Sequence, residues 1–232
     1  EPRHALLALA ASAAGARLLR GAARAMLDTL LYVLEEALKR IAEMNADVGV
    51  AGASAGYVRS LLASATKALT TMNELALEPA LGRIFGDGEL AHRTAAVGVT
   101  FVGLLCGPRA LELKQRGGSG GFGGGGGGSH AADVGCEPRQ LLRDTLRLLL
   151  RTSRAAPGFP REVAASDDLD VGVWSKALAI VKREHMLTPD ELDDFADWTA
   201  QVAQARGGAR GSASGSAAAA GNVVDVDDEP QL

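Results

Sequence analysis

Ser54 lies in Gly52-Ala-Ser-Ala-Gly56, the G-x-S-x-G spacing of a hydrolase nucleophile elbow. That elbow needs a strand-to-helix turn to present the hydroxyl, and a histidine placed to take its proton. Here the segment falls between two helical patterns, and Gly117–Gly121 meets the same spacing by composition alone. Hydrolysis through Ser54 is therefore not expected. The glycine tract trivially contains G-x-G-x-x-G, but no strand precedes it and it holds no Gly-Lys-Ser/Thr. A phosphate cradle requires backbone N–H groups fixed at a helix N-terminus. A glycine run is too floppy to supply them, so residues 116–133 read as a disordered insert.

His4, His92, His130 and His185 share no metal-ligand spacing, and no H-x-x-x-H occurs. Cys106 and Cys136 form no C-x-x-C pair, which argues against a zinc site or a disulfide framework and points to a reducing compartment. Two acidic clusters, Asp167–Asp170 and Asp190–Asp194, have the residue types for paired carboxylates or calcium, but neither has EF-hand spacing. The first sits in a break between helices; the second complements the positive end of the helix that it opens. Trp174 and Trp198 read as core or groove residues. No catalytic, cofactor-binding or metal-binding residue is expected, and no cofactor.

The elements around these residues are helical. The 232 residues are 47% hydrophobic but only 4% aromatic, so the core is aliphatic, and no sustained period-2 alternation marks a strand. A net charge of −4 gives no footprint for nucleic acid, and no apolar run reaches the ~18 residues that span a bilayer. Leu27, Leu30, Leu31, Leu34, Leu38 and Ile41 form one helical face from Met26, with Glu35–Lys39 and Glu36–Arg40 at the favourable spacing. A second helix, 57–77, turns Val58, Leu61, Leu62, Ala65, Leu69, Met72 and Leu75 inward. A third, 90–106, is apolar almost all round and so central. A fourth starts near Pro138 with Leu141, Leu142, Thr145, Leu148 and Leu149 inside. A fifth, 173–184, carries Trp174, Ala177, Leu178 and Val181. In the sixth, Thr188-Pro189-Asp190-Glu191 is a capping box with proline at the first position, ahead of Leu192, Phe195, Thr199 and Val202. Helices joined by short breaks predict stacked hairpins, without a strict repeat.

Leu104–Lys114, LLCGPRALELK, resembles a signature of the ubiquitin chain-elongation factors, the U-box ubiquitin conjugation factors also called ubiquitin-fusion-degradation elongating factors. In that family a leucine-rich helix ends in Leu-Cys-Gly-Pro, and a short turn leads to F-x-P and a double-leucine helix. CEPRQLL (Cys136–Leu142) is similar to that last element, with Cys136 in place of the aromatic. The glycine tract then reads as an expanded surface connection, cheap because each doubling of a loop adds only ~0.6 kcal/mol. Leu30–Asn45 is similar to the family helix that carries a Leu-Lys-Arg-Ile segment, and residues 159–202 are similar, more loosely, to its closing helices, so the resemblance covers roughly Leu30–Arg206.

The resemblance implies an all-α, armadillo/HEAT-like scaffold of stacked hairpins, elongated in shape. It implies a ubiquitin-ubiquitin ligase of the cytoplasm and nucleus that extends chains on substrates destined for the proteasome. Expected partners are ubiquitylated substrates and an AAA ATPase segregase, with a ubiquitin-conjugating enzyme recruited through the U-box; neither nucleic acid nor membrane is expected. Three parts follow: an ill-defined segment 1–25, a core 26–206, and a flexible acidic linker 207–232. The chain begins at Glu1 rather than Met, and DVDDEPQL is similar to the lead-in to a U-box. The expectation is a fragment lacking the U-box and acting as scaffold only. The alternative is a stand-alone helical adaptor without ligase activity.

Overall fold

The computed structural model describes residues 2–46, 51–107 and 138–217, and these are all-α, a helical-repeat-like scaffold. Among the described residues there are nine helices: α1 Pro2–Ala11, α2 Ala13–Ala46, α3 Ala51–Ala76, α4 Pro79–Gly86, α5 Gly88–Cys106, α6 Pro138–Ala155, α7 Phe159–Ala165, α8 Val171–Arg183 and α9 Pro189–Ala217. None of the described helices is by itself long and apolar enough to cross a membrane.

The alanine-rich first residues, ill-defined in the sequence, are helical and joined to α2 at Ser12 with a bend of 111°. Ser12 caps α2: its Oγ accepts from Gly15 N–H at 3.0 Å and lies 3.1 Å from Leu9 O, to which it donates. The corner is tight, since a Cβ on Gly15 would lie 2.1 Å from that carbonyl. From Ala23 onward α2 buries Leu27, Leu30 and Leu34 against α3 and α5. Glu36 and Arg40 pair at 2.8 Å, and the same guanidinium lies 5.8 Å from the Tyr57 ring of α3. The Ile41 side chain lies outside what is described.

Two short helices occupy stretches that read as breaks in sequence. α4 opens with Pro79 and buries Leu81 and Phe85; α7 buries Phe159, Pro160 and Val163. Proline at the first turn starts a helix as readily as it stops one.

α5 is the central helix its composition predicts, packed on α2, α4, α6, α7 and α8. α6 shares that position. It buries Leu141, Leu142, Leu146, Leu148, Leu149 and Leu150, so its face is wider than the sequence stripe. Glycines permit the close approach: a Cβ on Gly98 of α5 would meet Leu149 Cδ2 at 2.6 Å, and one on Gly86 would meet Ala156 Cβ at 2.4 Å.

Four arginines of α6 reach neighbouring helices and are anchored there, whereas Arg143 among the described residues meets only Asp144 of its own helix. Arg139 reaches Glu184 at 2.7 Å, and Arg147 grips Glu191 with two bonds of 2.9 and 3.0 Å. Arg154 pairs with Asp194. Arg151 donates to Asn73 O and Oδ1 at 2.9 and 3.1 Å. Asn73, 5% exposed on α3, donates in turn to Leu69 O and Asp144 O, so this buried amide is satisfied. Burial, and then the charge of Arg147, lower the Arg151 pKa from its ordinary value. On the opposite side, Arg24, Asp28, Glu89 and Arg93 tie α2 to α5.

α8 begins at Asp170, whose Oδ1 accepts from Gly172 N–H at 2.8 Å. It ends in a Schellman turn: Met186 N–H donates to Val181 O at 3.1 Å, with His185 at φ 50°. α9 begins with the predicted capping box. Thr188 N–H donates to Glu191 Oε2 at 3.0 Å and Glu191 N–H to Thr188 Oγ1 at 3.3 Å. The helix then continues to Ala217, past Arg206 where the glycines and serines predict a linker. Arg206 caps α7, donating to Ala164 O and Ser166 O at 2.8 and 2.9 Å. Among the described residues one buried apolar cluster runs from Ala23 to Val202.

Candidate functional site

The α8–α9 pair carries an aromatic-floored cleft of ≈190 Å³. Trp174 of α8 and Trp198 of α9 meet at 4.9 Å between centroids, and Phe195 stacks on Trp198 at 6.0 Å. Both indoles are buried, at 4% and 3% exposure, and Trp198 Nε1–H donates to Ser153 Oγ of α6 at 2.7 Å. The floor is therefore held by packing and by a hydrogen bond to the central helix. Leu169, Val171, Ser175, Ala196, Thr199 and Ala200 form the walls. Val171 is 38% exposed at the rim.

The walls offer apolar contact rather than chemistry. Ser175 Oγ donates to Val171 O at 3.2 Å and Thr199 Oγ1 to Ala196 O at 2.8 Å, so both hydroxyls serve their own helices. No histidine, cysteine or carboxylate lines the cleft. Sites for drug-sized ligands occupy ~300–1,000 Å³, and this one is smaller; it fits one bulky side chain.

The other candidate residues are spread over separate elements. Ser54 lies in the first turns of α3, inside a helix rather than on a strand-to-helix turn, and its side chain is outside what is described. His4 is on α1, His92 is exposed on α5, and His185 is the exposed left-handed residue after α8. His130, Cys136, Gly117–Gly121 and residues 116–133 lie outside the described residues, as do Pro108–Lys114 of the LLCGPRALELK stretch. Cys106 is buried at the end of α5. Among the described residues no group of three or more His, Cys, Asp or Glu is placed to hold a metal.

Both acidic clusters do structural work in part. Asp170 caps α8, Glu191 closes the capping box, and Asp194 pairs with Arg154. Burial disfavours the Glu191 charge, but hydrogen bonds from Arg147 and from the Thr188 N–H outweigh it and hold the carboxyl below the usual range. The Arg147–Glu191 grip is a contact that sequence reading misses, because 44 residues separate the partners. Trp174 and Trp198 were legible only as core or groove; their meeting defines the cleft.

Set against models of known protein families the chain matches none, and no curated protein matches it either.

Proposed function

We propose that residues 26–206 are the helical core segment of a U-box ubiquitin-ubiquitin ligase, which extends ubiquitin chains on substrates destined for the proteasome. The observation that carries this reading is the end of α5. The helix stops at Cys106 with Gly107 as its cap, and a Cβ at Gly107 would lie 2.3 Å from Gly103 O. Glycine is thus the residue that fits this cap, at the place where the resembling family ends a leucine-rich helix with Cys-Gly. The all-α, helical-repeat-like architecture supports a scaffold role.

In this reading no side chain of the core is a nucleophile. The core holds ubiquitylated substrate and an AAA ATPase segregase in the cytoplasm or nucleus. The U-box brings the charged conjugating enzyme, and proximity raises the effective concentration of the acceptor ubiquitin.

The test compares three proteins in a chain-extension assay with conjugating enzyme, ubiquitin and a mono-ubiquitylated substrate. These are the 232-residue chain, a U-box alone, and the chain with that U-box fused after Leu232. The expected result is no extension by the chain, slow extension by the U-box, and at least tenfold faster extension by the fusion. Equal rates for fusion and U-box would remove the ligase reading and leave the helical adaptor, which the α8–α9 cleft favours.

A further inference from the structure

The α8–α9 cleft is apolar, but its rim is acidic. Asp168 and Asp170 flank Leu169 at one end, and Asp197 lies between the lining residues Ala196 and Trp198, one turn after Asp193. All four are exposed. Asp170 makes its cap to Gly172; Asp168, Asp193 and Asp197 enter no ion pair or side-chain hydrogen bond among the described residues. The first three turns of α9, residues 189–200, contain no Lys or Arg, and neither does the loop 166–170. Lys176 and Lys182 are the unpaired cations of α8; Lys176 adjoins the lining residue Ser175, one cation against the four rim carboxylates, and Lys182 sits two turns beyond it, at the far end. The negative potential is therefore concentrated at the α8 N-terminus and along the α9 edge.

We propose that this cleft docks a basic peptide segment: one bulky apolar side chain enters over Trp174 and Trp198, with Lys or Arg beside it facing Asp168, Asp193 and Asp197. The volume fits a single anchor, and a desolvated anchor ringed by weaker polar contacts is how small interfaces concentrate their energy. Unpaired carboxylates supply orientation and on-rate for a cationic partner. The proposal concerns the cleft alone and stands or falls independently of the ubiquitin-ligase reading.

The cleft contains its own reporter. The chain has two tryptophans and both form the floor, so intrinsic emission reads the site directly. The probe is a tryptophan-free peptide with two lysines, a leucine-phenylalanine pair and two further lysines, titrated into the full chain. Expected is a saturable emission change that weakens ~5-fold or more between 50 and 500 mM NaCl. The Asp193→Asn/Asp197→Asn variant should bind ~5-fold more weakly with a flatter salt dependence. Ala200→Lys, an exposed position on the wall, should abolish the change while far-UV circular dichroism is retained. Should Ala200→Lys fail to fold, the double asparagine variant decides. No saturable change up to 1 mM peptide would overturn the proposal. So would an equal response to a peptide with glutamates for lysines, or wild-type affinity in the double asparagine variant.

Discussion

Glycine has opposite effects at Gly86 and Gly21. A Cβ at Gly86 would fall 2.4 Å from Ala156 Cβ, which sits on backbone and cannot rotate away. Gly86→Ala should therefore destabilise by ~1–3 kcal/mol through overpacking of α4 on the α6–α7 junction. At Gly21, exposed on α2, nothing lies within 4 Å, and alanine should stabilise by ~0.5–1 kcal/mol through helix propensity. Thermal midpoints of the two variants should move in opposite directions; a shared direction would contradict the packing described. His185 offers a third case. It holds φ 50° at the left-handed position of a Schellman turn, a region that disfavours side chains by ~1–2 kcal/mol. Glycine gives part of that back as unfolded-chain entropy, so His185→Gly should raise the denaturation midpoint by the equivalent of ~0.5–1 kcal/mol in urea. An unchanged or lowered midpoint would argue that the histidine ring makes a stabilising contact.

Among the elements, α9 is fastened at its first turn by one carboxylate. Glu191 accepts from Thr188 N–H and from Arg147, and its folded pKa lies below the usual value. The unfolded carboxyl titrates near ~4.3, so its contribution is fully present above that pH and is lost as the pH falls through the folded pKa. Glu191→Gln should lower the thermal midpoint at pH 7 by ~2–4 °C, the equivalent of roughly 1 kcal/mol, and the gap should narrow as the pH falls below ~4.3. A gap that stays constant right through the acid limb of unfolding would show that the charge is not the cause. The start of α9 was legible because a capping box is local: Thr188, Pro189 and Glu191 announce it within four letters. The central place of α5 was legible too, from Val97, Val99, Phe101 and Val102 with hardly a polar residue between them. The stubs α4 and α7 were not, since two turns are too short for a period to emerge and Pro79, Gly86 and Pro160 read as punctuation. Nor was the corner at Ser12, where a lone hydroxyl interrupts an alanine-rich run. The arginine anchors of α6 were beyond reach, as their partners Asn73, Glu184 and Glu191 are distant in sequence.

Among the described residues one buried cluster runs through the molecule, from Ala23 on α2 to Val202 on α9. Both tryptophans sit at the α8–α9 end, whereas helical ellipticity reports every element. A continuous core predicts a single transition, with tryptophan emission and far-UV ellipticity giving coincident urea midpoints. Separate midpoints would divide the chain into independently stable parts. The placement of α6 has a consequence for the order of events on the ribosome. Its partners α3, α4 and α5 are all complete by Gly107, but α6 begins only at Pro138, after residues 108–137. Until those residues and α6 itself have been made, Asn73 of α3 and Gly98 of α5 lack the α6 residues packed on them, a nascent state that invites either a chaperone or a neighbouring chain. At ~5–20 residues per second that interval lasts a few seconds, so the second half of this core arrives late to a first half that cannot hide itself alone.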